Sequence, residues 1–226
     1  MPQKLEEEKL YPSVEVLLKS DVFGCFKTAK KKGTVFVGQA DVVGVREIGG
    51  DVRGDIEVIA VEVKSSPQPF GKNLGQALGY SLLAHKCYLA APTRFSLEQK
   101  ELATRLGVGL IEIKRYRSDW KCVHVLSSGN HTPHPHQMET MLRRGLKVIR
   151  CGFCGIFIDT EGEKITNSWD VAREKGKIYR ILREPKRKLL FSKRRKEDWR
   201  RIYLCKECVQ ELWAGIALET EDESPN

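Results

Sequence analysis

Hydrophobic positions along this chain alternate between two periods. Leu10, Val14, Leu17 and Leu18 recur at helical spacing within residues 1–20, with Pro12 tolerated only in a first turn, so the chain is expected to open with a short helix. The pattern then changes to β-branched or apolar runs at 22–28, 35–37, 41–45 and 56–63. These are set apart by Lys30-Lys31-Lys32-Gly33, Gly38 and Gly49-Gly50-Asp51, which predicts antiparallel-style strands. Helical spacing returns across 71–85 through Leu74, Leu78 and Leu82, followed by a strand at 87–90 that Pro92 stops. Ser96 opens another helix, with Gln99 three positions on as in a capping box. Residues 110–113 predict a further strand and 122–126 a last one. This order predicts an α/β domain with a mixed central sheet flanked by helices.

That domain is expected to span 1–126. Residues 127–137, rich in turn formers and without apolar periodicity, read as a linker. A second, small domain is expected over 138–218, and the acidic tail 219–226 is expected to be disordered. With 41% hydrophobic and 31% charged residues the chain is not wholly disordered, collagen-like or mucin-like. No apolar stretch approaches the roughly 18 residues of a membrane span, and residues 1–9 are too charged for the apolar region of a signal peptide. A cytoplasmic protein with no membrane partner is expected. Its formal net charge is +9, unevenly placed: residues 141–203 hold 19 Lys and Arg against 8 Asp and Glu, while 204–226 hold 1 against 6. Such a basic stretch is either a solvated surface or a site for a polyanion, of which nucleic acid is the commonest inside cells.

In the first domain the informative segment is Val58-Ile59-Ala60-Val61-Glu62-Val63-Lys64, an apolar strand ending in an acid and a lysine two apart. Strand alternation puts Glu62 and Lys64 on one face and Val61 and Val63 on the other. Asp41 begins another apolar strand, and an acid at the mouth of a buried strand needs a partner. If the two strands are neighbours, two carboxylates and an ammonium converge at one sheet edge. Hard oxygen ligands of this kind suit magnesium, and metal-assisted phosphodiester hydrolysis is the matching reaction class. A surface ion pair is the alternative reading of the same spacing.

Asp41, Glu62-Val63-Lys64 after an apolar strand, and Gly75-Gln76-Ala77-Leu78-Gly79-Tyr80 in a helix together resemble the PD-(D/E)xK nuclease superfamily over residues 6–113. The resemblance implies a restriction-endonuclease-like core and a Mg2+ (or Mn2+)-dependent endonuclease acting on nucleic acid, DNA in the first place. By the same resemblance Asp41 and Glu62 bind the metal, the Val63 carbonyl adds a ligand, and Lys64 is the catalytic lysine. Gln76 and Tyr80, one helical turn apart on one face, would steer the substrate strand or the lysine. Ala40 stands where the family name has proline. The acid from the first helix is Glu8 or Glu15, with Glu8 favoured. A homodimer is the usual form of restriction-type cleavage in this family, but no residue here identifies its surface. The alternative function is an inactive nucleic-acid-binding protein on a nuclease-like scaffold.

The chain has seven cysteines, a number that suits a complete disulfide framework poorly. Four form two Cys-x-x-Cys knuckles, Cys151/Cys154 and Cys205/Cys208, separated by 50 residues. Four thiolates satisfy a tetrahedral structural Zn2+, so a treble-clef or zinc-ribbon-like finger is expected. Between the knuckles, Lys186, Arg187, Lys188, Lys193, Arg194, Arg195 and Lys196 are candidates for phosphate contacts. Cys25, Cys87 and Cys122 are expected in strands as small buried residues, and His131, His134 and His136 as solvent-exposed.

Overall fold

The computed structural model describes residues 6–30, 40–48, 55–151, 154–159, 166–167, 203–205, 207–208 and 210–211. The chain divides into two compact units, Met1–Lys147 and Val148–Asn226. In the first, a single turn at Glu7–Lys9 leads into α1 (Tyr11–Lys19), and strands β1 (Lys27–Lys30), β2 (Val42–Glu47) and β3 (Ile56–Val63) follow. Next come α2 (Phe70–Gly79), β4 (Lys86–Ala91), α3 (Leu97–Arg105), β5 (Gly109–Tyr116), β6 (Asp119–Leu126) and α4 (Pro135–Met141). The strands form one six-stranded sheet in chain order. β1, β2 and β3 pair antiparallel, β3, β4 and β5 parallel, and β5 and β6 antiparallel. A mixed α/β sheet flanked by helices is thus the architecture, as the alternating periods predict.

Helices cover both faces. On one, Leu10, Tyr11, Val14, Leu17 and Leu18 pack on Ile59, Val61, Val63, Tyr88 and Ile111. On the other, Phe70, Leu74 and Ala77 of α2 and Ala103 of α3 pack on Leu89, Ala91 and Leu110. Every residue of β3 is buried, which explains its near-continuous apolar run: a strand between two helical layers has no solvent face. The capping box at Ser96 forms, with the Gln99 N–H donating to the Ser96 hydroxyl and the Ser96 N–H to the Gln99 side chain.

Three details differ from the sequence reading. The strand expected over 22–28 starts only at Lys27. Residues 20–26 are a turn, in which Gly24 takes a left-handed φ of +65° and the Cys25 N–H donates to the Leu18 carbonyl. Cys25 is therefore buried in a turn rather than a strand. The helix expected over 71–85 ends at Gly79 and tightens into a 3-10 turn over Tyr80–Leu82. Residues 127–134 are tied to the sheet. Ser128 is buried and its hydroxyl accepts from the Cys87 N–H, while the Gly129, His131 and His134 N–H groups donate to Gly107, His85 and Leu82 carbonyls. These bonds hold the segment expected as a linker within the first unit, and α4 with its buried Met141 and the π-helical turn Leu142–Leu146 with its buried leucines complete that unit. Of the three histidines, His134 and His136 are exposed and His131 is half-buried against Gly107.

In the second unit β7 (Val148–Arg150) and β8 (Phe157–Asp159) form a hairpin, and β9 (Thr166–Asn167) pairs antiparallel with β10 (Tyr203–Leu204). The expected strand at 35–37, the basic residues from Lys186 to Lys196 and the acidic tail lie outside the described residues. Among the described residues no helix is long and apolar enough to cross a membrane.

Candidate active site and candidate metal centre

Alternation along β3 sends Val61 and Val63 into the core beneath α1, so Glu62 between them faces the α2 side. The antiparallel register pairs Val42 of β2 with Val61, which places Asp41, one residue earlier, beside Glu62 at the end of β3. Both carboxylates are buried, at 5% and 3% exposure. Lys64 follows directly, its N–H donating to the Ala90 carbonyl at 2.9 Å. The structure thus brings Asp41, Glu62 and Lys64 together at the C-terminal end of the parallel strands, where ligands of open α/β sheets bind.

Each carboxylate is held from two sides. Asp41 accepts from the Tyr11 hydroxyl (2.9 Å) and from the Val63 N–H (2.9 Å). Glu62 accepts from the Tyr80 hydroxyl and faces the Lys64 ammonium at 2.5 Å. Burial pushes the Asp41 carboxyl above its ordinary range and the Glu62 charge adds to this, while the Val63 N–H, Tyr11 and Lys64 oppose it. Burial alone would lower the Lys64 ammonium, but its bond to Glu62 and the nearby acids outweigh that and raise it. Both phenols are raised, first by burial and then by the carboxylate each one serves. They remain neutral donors.

Of the two candidates for the first-helix acid, neither bonds to this cluster among the described residues, though the Glu8 charge acts on Tyr11. Glu8 is exposed, and Glu15 turns to β1, where it pairs with Lys30 at 3.2 Å. Glu7 is the acid that does reach it: its carboxylate accepts from the Ser65 N–H at 3.3 Å and lies 4.0 Å from Lys64. Glu7 lies four residues before Tyr11 and seven before Val14, on the buried face of α1, whereas pairing Glu8 with Glu15 by their seven-residue spacing selects a different face. Helical-face counting misses Tyr11 too, since a tyrosine at a core position of an amphipathic helix has no spacing signal that marks its hydroxyl. Gln76 is exposed one turn before Tyr80, and only Tyr80 contacts the carboxylates. The cluster holds two buried carboxylates and the half-exposed Glu7 against one ammonium, and such an excess of negative charge favours a cation.

In the second unit the four knuckle cysteines converge, all four sulfurs lying within 4.8 Å of one another. Cys151 and Cys154 occupy the turn of the β7–β8 hairpin, where the Cys151 N–H donates to the Ile156 carbonyl and the Gly155 N–H to the Cys151 carbonyl. Cys205 follows β10 and its N–H donates to the Cys151 sulfur at 3.3 Å; the Cys208 N–H donates to the Cys205 sulfur at 3.4 Å. The Cys154 and Cys205 sulfurs are 3.7 Å apart. Tetrahedral Zn–S bonds of about 2.3 Å imply sulfur separations of about 3.8 Å. Burial pushes the Cys205 thiol up to about 11 and raises Cys208 as well, with neighbouring thiols adding to Cys208. Four crowded thiols oppose one another's ionisation, and a dication reverses that. This cluster could bind a metal such as zinc.

No protein-family model matches the sequence, and no curated protein matches it. Among solved structures, the chain is similar to a protein of unknown function from Silicibacter pomeroyi, at 12% identity and a TM-score of 0.41, over 83% of this chain and 99% of the other.

Proposed function

We propose that the first unit is a metal-dependent nuclease of the PD-(D/E)xK type that hydrolyses phosphodiester bonds in nucleic acid, DNA in the first place. The observation that carries this reading is the convergence of Asp41, Glu62 and Lys64 at one strand end, with more negative than positive charge. The donor set fits a hard dication: buried carboxylate oxygens with lone pairs to spare. Asp41, Glu62 and the Val63 carbonyl would hold Mg2+ or Mn2+. When bound, that ion supplies Lewis-acid polarisation of the scissile phosphate and makes water a better nucleophile. Tyr11 and the Val63 N–H fix both oxygens of Asp41, and Tyr80 fixes Glu62, so the carboxylates are pre-oriented before substrate arrives. Lys64 places an ammonium where it can orient the attacking water or balance charge that develops on the phosphate. Gln76, exposed one turn before Tyr80, would touch the substrate strand.

In the second unit the reading is a structural Zn2+ on Cys151, Cys154, Cys205 and Cys208. Such four-thiolate sites are closed to substrate and contribute folding energy. The basic residues between the knuckles, Lys186 to Lys188 and Lys193 to Lys196, would hold the phosphate backbone. The test is a labelled panel of duplex, single-stranded, splayed and four-way-junction DNA and of RNA, incubated with Mg2+ or Mn2+ beside Glu62→Ala. Cutting that disappears in the variant supports the nuclease. A panel left intact by wild-type protein, or cut equally by the variant, refutes it.

A further inference from the structure

We infer that the β5–β6 hairpin is a second nucleic-acid contact that grips the phosphate backbone of the strand presented to the Asp41–Glu62–Lys64 site, an inference that rests on the nuclease reading for its substrate. The hairpin tip carries Lys114, Arg115, Arg117 and Lys121 around an exposed Tyr116. Lys114 is engaged by Glu112 at 3.3 Å. Among the described residues Arg115, Arg117 and Lys121 form no salt bridge. Lys121 and Arg117 lie over the Tyr116 ring, at 4.5 Å and 5.6 Å from its centroid, so the ring keeps their charges at the tip.

Two features of the tip work against stability and need another reason to be there. Arg117 takes a left-handed φ of +56° in the two-residue turn between Tyr116 and Asp119, a conformation that glycine or asparagine adopts at lower cost. Lys114 and Lys121 stand directly opposite each other across the ladder, and Glu112 neutralises only the first of this like-charge pair. Strain and repulsion concentrated on cations mark a surface shaped for an anionic partner.

The sheet register places that surface. Val63 is level with Ala90, and Ala90 with Ile111, so β5 reaches the level of the acidic cluster two strands away and then continues to Tyr116. Adjacent strands are about 4.8 Å apart and each residue advances about 3.3 Å, which puts the tip roughly 10 Å to the side of the carboxylates and roughly 15 Å beyond them. A nucleic-acid strand lying across the C-terminal ends of β3, β4 and β5 therefore meets the acidic cluster and the basic tip together. The tip attracts the phosphates that the carboxylates repel.

The experiment measures binding of a fluorescein-labelled duplex and its single strand to the full chain without added divalent metal, over about 50 to 200 mM salt. Because nothing is cut under these conditions, the result does not depend on whether the panel above is cleaved. On the duplex, to which the slopes below refer, every phosphate that the protein ceases to neutralise makes the slope of log affinity against log salt shallower by about 0.9, and on the single strand by about 0.7. Arg115→Gln/Arg117→Gly/Lys121→Gln should weaken binding about 10- to 100-fold and flatten the slope by about 2.7. Arg117→Gly alone should weaken binding and flatten the slope by about 0.9 while raising Tm, because it relieves the turn. A purely structural arginine would not move the two in opposite directions. Arg105→Glu, on α3 at the other end of the sheet, is the control and should leave the slope unchanged. An unchanged slope in the triple variant, an equal loss in Arg105→Glu, or no binding of either probe by wild-type protein overturns the inference.

Discussion

Asp41→Asn separates the chemistry of the acidic cluster from its stability. Asp41 is 5% exposed, and both of its oxygens are held by neutral donors, the Tyr11 hydroxyl and the Val63 N–H. Asparagine has nearly the same shape. Its carbonyl can keep the Val63 bond while its amide donates to the Tyr11 oxygen, which accepts as well as donates. Two bonds to a carboxylate become ordinary ones, a loss of about 1 kcal/mol each. Against this, a buried charge beside Glu62 disappears, and the effective penalty for a buried ion is several kcal/mol. The second effect wins, by about 1–3 kcal/mol, and at about 2–4 °C per kcal/mol for a chain of this size the metal-free variant should melt about 2–12 °C above wild type. Calorimetry in metal-depleted buffer without chelator is the assay, since a chelator would also strip the cysteine cluster. With Mg2+ at 100 times its Kd wild type gains about 2.7 kcal/mol, so the gap should close or reverse, while the variant gains nothing and cuts nothing. A metal-free Asp41→Asn protein that melts below wild type would refute this charge argument.

Lys64→Ala should abolish cleavage while leaving nucleic-acid affinity nearly intact, measured by single-turnover cutting beside equilibrium binding. Cys151→Ser or Cys205→Ser should lower zinc stoichiometry and unfold the second unit while the first unit keeps its far-ultraviolet signature; unchanged zinc content in both sinks the centre. Ser128→Ala should cost about 1–3 kcal/mol in urea unfolding, because it orphans the buried Cys87 N–H. Stability should also fall as pH drops from 7 through 5.5. Burial lowers His85, whose Nδ1 accepts from the Val58 N–H, and His124, packed edge-on to Phe23 and Tyr88. A folded pKa below the ordinary 6.5 means that the unfolded chain takes up more protons, so stability is full above about 6.5 and is lost through the lower folded values. An unchanged pH slope in His85→Gln/His124→Phe would remove this account.

What the sequence makes legible follows from how local the cause is. The apolar run of β3, the capping box at Ser96 and the two cysteine knuckles are short-range signals, and each forms where it is read. Asp41 next to Glu62 needs one long-range assumption, that β2 and β3 are neighbours, and the register satisfies it. Glu7 and Tyr11 are illegible for a different reason. Glu7 lies in an acidic run with Glu6 and Glu8, where composition marks no one of the three, and the role of Tyr11 depends on a hydroxyl at a position whose spacing reads only as core. The segment 127–134 reads as a linker because its bonds run from backbone and Ser128 to distant carbonyls, which no periodicity reports.

Three buried glutamates on the sheet show why only one of them marks the candidate site. Glu57 accepts from Arg46 directly across the β2–β3 ladder, at 2.6 Å, one charge against one, and the same guanidinium is anchored on the Phe23 carbonyl. Glu112 accepts from the Phe95 N–H, pairs with Lys114 and fixes the turn before α3. Both are closed arrangements in which charge and hydrogen bonds balance, and each is explained by the fold it holds. Glu62 shares its single ammonium with Asp41 and Glu7, and the Tyr11 and Tyr80 phenols are turned inward to hold Asp41 and Glu62. Folding alone gives no reason to collect that much negative charge at the end of the most buried strand. Under the nuclease proposal, a cation that arrives with, or ahead of, a phosphodiester would supply one, and the charge imbalance, more than the spacing of the acids, is what supports that proposal.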